Sequence, residues 1–162
     1  MTICYLFQRK VAGMVPQRNN QMLPQTDIDV PHNRLSDDFL RMLVVDDDPI
    51  QNEFISAFFG NEKTRVVMTR SGEEGLEALK GSSFDVILVD HDMPGMNGLE
   101  FLRAVRSDAA HGKLPMIMVT IKSDAETENA AYEAGASFFH TKPVDWRLLS
   151  QQIKSSLRNA RR

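Results

Sequence analysis

A doubly wound α/β domain, with a five-stranded parallel sheet and helices on both faces, is what three features of the 162-residue sequence predict. Short apolar runs alternate with segments of helical periodicity along most of the chain. These runs are apolar in succession rather than in alternation, as suits strands covered on both faces. Two of them stop abruptly on acids: Leu43-Val44-Val45 meets Asp46-Asp47-Asp48-Pro49, and Val86-Ile87-Leu88-Val89 meets Asp90-His91-Asp92-Met93-Pro94-Gly95. Open α/β sheets hold their sites at that C-terminal edge.

Residues 1–40 stand apart from this pattern. Pro16, Pro24, Pro31 and the polar run Gln17-Arg18-Asn19-Asn20-Gln21 break any period, so an irregular, disorder-prone leader is expected. A helical turn over Ser36-Asp37-Asp38-Phe39-Leu40, capped by Ser36, can precede the first strand. The domain is expected over 41–162, and a chain starting at Arg41 is expected to stay folded. Met42 offers an alternative start.

Met42–Val45 reads as the first strand. Pro49 then opens a helix to about residue 59, with Ile50, Phe54, Ala57 and Phe58 on one face. Arg65–Thr69 is the second strand, and Ser71 caps a helix to Lys80 that turns Leu76 and Leu79 inward and stops at Gly81. Asp85–Asp90 is the third strand; Gly98 to about residue 106 is a helix with Leu99, Leu102 and Val105 inward. Pro115–Thr120 is the fourth strand, followed by a helix over Asp124–Ala134 that ends at Gly135. Ser137–Thr141 is the fifth strand, and a last helix from Trp146 to about residue 159 carries the stripe Leu149, Ile153, Leu157. Periodicity does not give strand order, but the flavodoxin-like order 2-1-3-4-5 is common for five such units. It puts a switch point between the first and third strands, the two that end in acids.

Composition narrows the function. A net charge of -3 gives no electrostatic case for nucleic acid or a membrane surface. Arg158, Arg161 and Arg162 complement the dipole of the last helix. A single cysteine, Cys4, excludes an intrachain disulfide framework and fits a reducing, cytoplasmic setting. The apolar start Ile3-Cys4-Tyr5-Leu6-Phe7 is too short for a signal peptide, and no run approaches the roughly 18 apolar residues of a membrane span.

Two further strand ends add chemistry. Met116-Ile117-Met118-Val119 stops at Thr120, and Phe138-Phe139-His140-Thr141 stops at Lys142-Pro143. A strand-end Asp is by itself commonly a turn residue. Four strand ends bearing acids, a hydroxyl and an ammonium together describe a carboxylate nucleophile, a site for a hard cation such as Mg²⁺, and an anion clamp. That is the equipment for phosphoryl transfer to aspartate.

In these motifs the chain resembles the receiver domain of bacterial two-component response regulators. Val45-Asp46-Asp47-Asp48-Pro49, Leu88-Val89-Asp90-His91-Asp92-Met93-Pro94-Gly95-Met96-Asn97-Gly98, Val119-Thr120 and Thr141-Lys142-Pro143 stand in that family's order and spacing, and the match covers 41 to about 160. The resemblance implies that Asp90 accepts the phosphoryl group. It implies Mg²⁺ on Asp47 and Asp90, with Asp46 completing the acidic pocket and the main-chain carbonyl of Asp92 as a further ligand. Thr120 and Lys142 would contact the phosphoryl oxygens, and Phe139 matches the aromatic switch position. The implied partners are a sensor histidine kinase or a histidine phosphotransfer protein upstream and an unidentified protein target downstream. With no output domain after the last helix, a stand-alone, chemotaxis-regulator-like protein is expected.

Three positions depart from the usual family pattern. Phe139 stands in place of Tyr, Ile121 follows Thr120 in place of a small residue, and Asp92 is acidic. A β-branched Ile121 is expected to narrow the opening over the acceptor and, with Asp92 and Lys122 at the rim, to slow hydrolysis of the acyl phosphate. Two other readings compete with this one. A scaffold that works without phosphorylation would have lost an acid or the lysine, and all remain. A haloacid-dehalogenase-type phosphatase shares the D-x-D of Asp90 and Asp92, but carries it on its first strand and follows it with Thr or Val rather than Met93-Pro94.

Overall fold

The computed structural model describes residues 39–61 and 63–160. The leader expected over 1–40 therefore lies almost wholly outside the described residues. Leu40 already belongs to a strand, so no helical turn reaches it.

Among the described residues ten elements alternate without exception: β1 (Leu40–Val45), α1 (Pro49–Phe59), β2 (Thr64–Thr69), α2 (Gly72–Gly81), β3 (Val86–Asp90), α3 (Gly98–Ser107), β4 (Met116–Thr120), α4 (Ala125–Glu133), β5 (Phe138–Thr141) and α5 (Trp146–Ala160). The five strands are parallel in the order β2-β1-β3-β4-β5, as expected. β3 and β4 are buried along their whole length and β1 from Met42 onward, which accounts for their unbroken apolar runs.

Successive strand side chains point to opposite faces, so each strand feeds two cores. Leu43, Val45, Ile87, Val89, Met116 and Met118 face α2, α3 and α4, meeting Leu79, Phe101, Leu102, Val105 and Ala131. Met42, Val44, Val86, Leu88, Ile117 and Val119 face α1 and α5, meeting Ile55, Phe59, Leu149 and Ile153.

Local chemistry sets the helix starts. Asp48, Ser71, Asn97 and Asp124 each accept a main-chain N–H from the first turn that follows, and Asn97 forms a reciprocal capping box with Glu100. At the far end of α4, Gly135 has φ +104°, a conformation side-chain-bearing residues rarely adopt, and it lets the chain turn into β5.

One expectation about helix faces is corrected. Ile50 and Phe54 are more than 60% exposed, and Ala57 and Phe58 also face outward. The sheet instead takes Asn52, Ile55 and Phe59. α1 carries two apolar stripes, and its start selects between them: Asp48 caps it, Pro49 opens it, and Asn52 Nδ2 donates to the carbonyl of Asp46 (2.8 Å). That bond turns Asn52 towards the strand end and carries Ile55 and Phe59 inward with it.

Candidate functional site

Strand register assembles the site. Val45 pairs with Val89, so Asp46 and Asp90 leave neighbouring strands at one level. Asp90 pairs with Val119 and Thr120 with Thr141, so Thr120 and then Lys142 follow along the same rim. Lys142 reaches past the end of β4, and its Nζ lies 2.7 Å from Asp90 Oδ1 and 3.2 Å from Asp46 Oδ2. Both carboxylates are buried, with 7% and 4% of their surface exposed. The Lys142–Pro143 peptide is cis.

The main chain fixes the remaining oxygens. Asp90 Oδ2 accepts from the amide of Asp92 (2.8 Å), and Asp46 Oδ1 from the amide of Asp48 (2.9 Å). Thr120 is fully buried; its Oγ1 accepts from the amide of Lys122 (3.1 Å), and its carbonyl accepts from the amide of Lys142 (2.7 Å). Behind the acceptor, Gly98 donates to the carbonyl of His91, and a Cβ at Gly98 would collide with the carbonyl oxygen of Asp90. Only glycine lets α3 start this close to the strand end.

Charge is not balanced here. Burial pushes the Asp46 carboxyl above its ordinary value; the Asp48 amide and Lys142 pull it back without cancelling the effect, and Asp90 adds to it. Burial works to lower the Lys142 pKa, but its hydrogen bond to Asp90 and the charges of Asp46 and Asp90 outweigh that and raise it. Two ionised carboxylates against one ammonium leave an excess negative charge in a poorly solvated place. Next to them a cavity that admits about one water molecule is lined by Asp46, Gln51, Asp90, Lys142 and Trp146 over an apolar floor.

This donor set fits Mg²⁺, which prefers hard oxygens and is commonly held by one or two carboxylates together with waters. Among the described residues no three His, Cys, Asp or Glu side chains gather as a ready metal cage. Asp46 and Asp90 come together, whereas Asp47 is exposed and makes no ion pair among the described residues. Asp92 Oδ1 is engaged by both Lys122 (2.8 Å) and His91 (2.9 Å).

Phe139 is half-buried and packs on the α2–α4 core, on β5, with β4 between it and the acceptor strand. Ile121 is 73% exposed, and its bulk stands at the rim beside Thr120. Sequence reading missed Asn52, Gln51 and Trp146 as neighbours of the site. The first had a signal in Asp48-Pro49, which fixes where α1 starts and hence which residue faces the strand end. The other two had none.

Residues 42–154 match the response regulator receiver domain family. The chain belongs to that family. Among curated proteins, PilH of Pseudomonas aeruginosa is 34% identical over 118 residues, covering 72% of this chain and 97% of that protein. The DNA-binding response regulator MtrA of Mycolicibacterium smegmatis is 31% identical over 118 residues, and there the alignment spans only 50% of the relative. Among solved structures, the receiver domain of a signal transduction histidine kinase from Syntrophus aciditrophicus superposes with a TM-score of 0.70 at 29% identity, over 75% of this chain and 92% of that one. A receiver domain protein from Methanospirillum hungatei gives a TM-score of 0.69 at 29% identity, over 75% and 95%. The Asp46/Asp90–Lys142 cluster is of the kind found at the phosphoacceptor site of receiver domains, which catalyse their own phosphorylation rather than turn over a substrate. Among the described residues no helix is long and apolar enough to cross a membrane.

Proposed function

We propose that this receiver takes a phosphoryl group from a phosphohistidine onto Asp90 and signals through protein contacts. The donor is a sensor histidine kinase or a histidine phosphotransfer protein. The observation that carries the reading is Lys142, bonded at once to Asp90 and Asp46 at the ends of adjacent strands. In the transfer an Asp90 carboxylate oxygen attacks phosphorus, the P–N bond to the donor histidine breaks, and the electron pair leaves with the imidazole.

Each residue has a task in that step. The Asp92 amide orients the Asp90 carboxylate, and Lys142 holds its other oxygen until the phosphoryl oxygens arrive to share the ammonium. The Thr120 hydroxyl accepts from Lys122 N, which leaves its own proton free to donate to a phosphoryl oxygen. Mg²⁺, when bound, would be held by Asp46 and Asp90, with Asp47 and the Asp92 carbonyl as further candidate ligands, and would neutralise negative charge at the acceptor. Phe139 and Thr120 then relay the change to the surface of α4, β5 and α5, where the downstream protein binds.

The test is labelling of the purified chain by a phosphorylated histidine phosphotransfer domain with Mg²⁺ present. One phosphoryl group per chain is expected, and none on Asp90→Asn. Label persisting on that variant at the parental level would sink the assignment, and sustained release of phosphate from many ester substrates would favour a phosphatase.

A further inference from the structure

Of the three side chains that α1 buries, one is polar: Asn52 stands with Ile55 and Phe59 and is only 8% exposed. Its Nδ2 donates to the main-chain carbonyl of Asp46 (2.8 Å), while its Oδ1 is buried and meets no hydrogen-bond donor among the described residues. A buried acceptor left unpaired costs free energy, and an apolar side chain at this place would not carry that cost. Helix packing therefore does not account for an amide here. What the amide contributes is its one bond, to the carbonyl that leads from Asp46 to Asp47.

Asp46 does not need that bond to place its own carboxylate. Its Oδ1 is held by the Asp48 amide (2.9 Å) and its Oδ2 by Lys142 (3.2 Å), and its amide donates to the Thr69 carbonyl (3.1 Å). The carbonyl belongs to the peptide that joins Asp46 to Asp47, and a peptide is planar. Fixing the direction of its oxygen fixes the plane, and with it where Asp47 leaves the strand end. Asp47 is exposed and makes no ion pair among the described residues, so the main chain is what places it.

We propose that Asn52 is a positioning residue for a divalent cation, acting through Asp47: it holds the 46–47 peptide so that the Asp47 carboxylate joins Asp46 and Asp90 around one metal ion. The inference rests on the reading that these three acids hold Mg²⁺. That ion demands near-octahedral oxygens at short range, so a ligand whose main chain can swing binds it less tightly. Partners that orient metal ligands commonly contribute about tenfold or more to affinity. A neutral amide suits the task, because a lysine or arginine here would bring a charge that competes with the metal.

A structural role alone makes a different forecast. If Asn52 only ties α1 to the end of β1, its loss lowers stability and leaves Mg²⁺ affinity where it was. If its bulk rather than its bond is what counts, leucine, which branches at the same carbon, serves as well as asparagine. A positioning role requires leucine to fail as alanine does. It also requires the loss to disappear once Asp47 no longer binds.

The experiment titrates the full chain with Mg²⁺, and with Mn²⁺ where affinity is low, by calorimetry near pH 7. The variants are Asn52→Ala, Asn52→Leu, Asp47→Ala, the double variant Asn52→Ala with Asp47→Ala, and Phe59→Leu as a destabilised control on the same face of α1. The two Asn52 variants should each bind about tenfold more weakly, and Phe59→Leu as the parent does. The double variant should bind as Asp47→Ala does, since both changes act through one ligand. Parental affinity in either Asn52 variant would overturn the positioning role, and so would an Asp47→Ala variant that binds as the parent does. A double variant whose loss is the product of the two singles would overturn it as well. A parent that binds neither cation counts against the metal reading itself, and the role of Asn52 falls with it.

Discussion

Asp46 sets the terms for a cation at this site. Its carboxyl keeps a proton to higher pH when folded than the ordinary value of 3.8, chiefly because it is buried. Over that window the native state binds more protons than the unfolded chain, so this residue's contribution to stability falls as pH rises from 3.8 through the raised value. Lys142 works in the opposite sense: its pKa is raised, so its contribution is complete below 10.5 and is lost only as pH climbs through the folded value. Ionised Asp46 is therefore a cost at neutral pH that Lys142 only partly offsets, and a divalent cation should relieve it. The rise in Tm on adding Mg²⁺ should be full near pH 7 and vanish as pH falls through the Asp46 titration. Melting curves with and without Mg²⁺ across that range check this; a rise independent of pH would remove Asp46 from the metal site. The acids, Thr120 and Lys142 were legible because each ends an apolar run. The buried Asn52 was not, because a polar residue mid-helix looks solvated until its strand-end partner is known.

Elements differ in how much they disclosed. The caps Ser71 and Asp124 and the stop at Gly135 bounded their helices to within a residue or two. α1 misled because two apolar stripes satisfy one helical period, and its start at Asp48-Pro49 together with the bond from Asn52 to Asp46 chooses between them. Arg106 is a second case. In the last turn of α3 it reads as a cation answering the helix dipole, yet its guanidinium donates to three carbonyls, those of Gly135 (2.6 and 2.9 Å), Leu114 (2.8 Å) and Gly112 (3.2 Å). It thereby pins the loop after α4 to the loop before β4. Its stem also occupies the space that a Cβ at Gly135 would need. Arg106→Ala should cost about 2–3 kcal/mol, since it strands carbonyls that are partly buried. Arg106→Lys should recover little, because an ammonium cannot fork to all three. Chemical denaturation of the two variants checks both; a lysine variant as stable as the parent would show that charge alone suffices.

For the whole molecule, both cores, among the described residues, are drawn from 40–157. Where β1 begins is a finer matter. Leu40 N donates to the Lys63 carbonyl, the Arg41 amide donates to Asp85 (2.7 Å), and the Asp85 amide donates back to Arg41 (2.8 Å). A chain starting at Ser36 should keep the parental stability to within about 1 kcal/mol and still take label at Asp90. Starting at Met42 instead should cost about 2–3 kcal/mol, and starting at Arg41 an intermediate amount through loss of Leu40 from the strand. Equal melting of the Ser36 and Met42 chains would show that this first stretch contributes nothing. Most of the fold was legible because its periods, caps and turns agree with one another; strand order came from the common order for five such units, supported by where the acids lie. One consequence concerns time. The acceptor terminates β3, a strand buried at every residue between two neighbours, and amides so placed open on the slowest clock a domain has. The loops beside it, half in solvent, open on a fast one. The chemical mark is thus made at the stillest point of the molecule, while whatever is read from it is displayed by parts that rearrange many times over before that point moves.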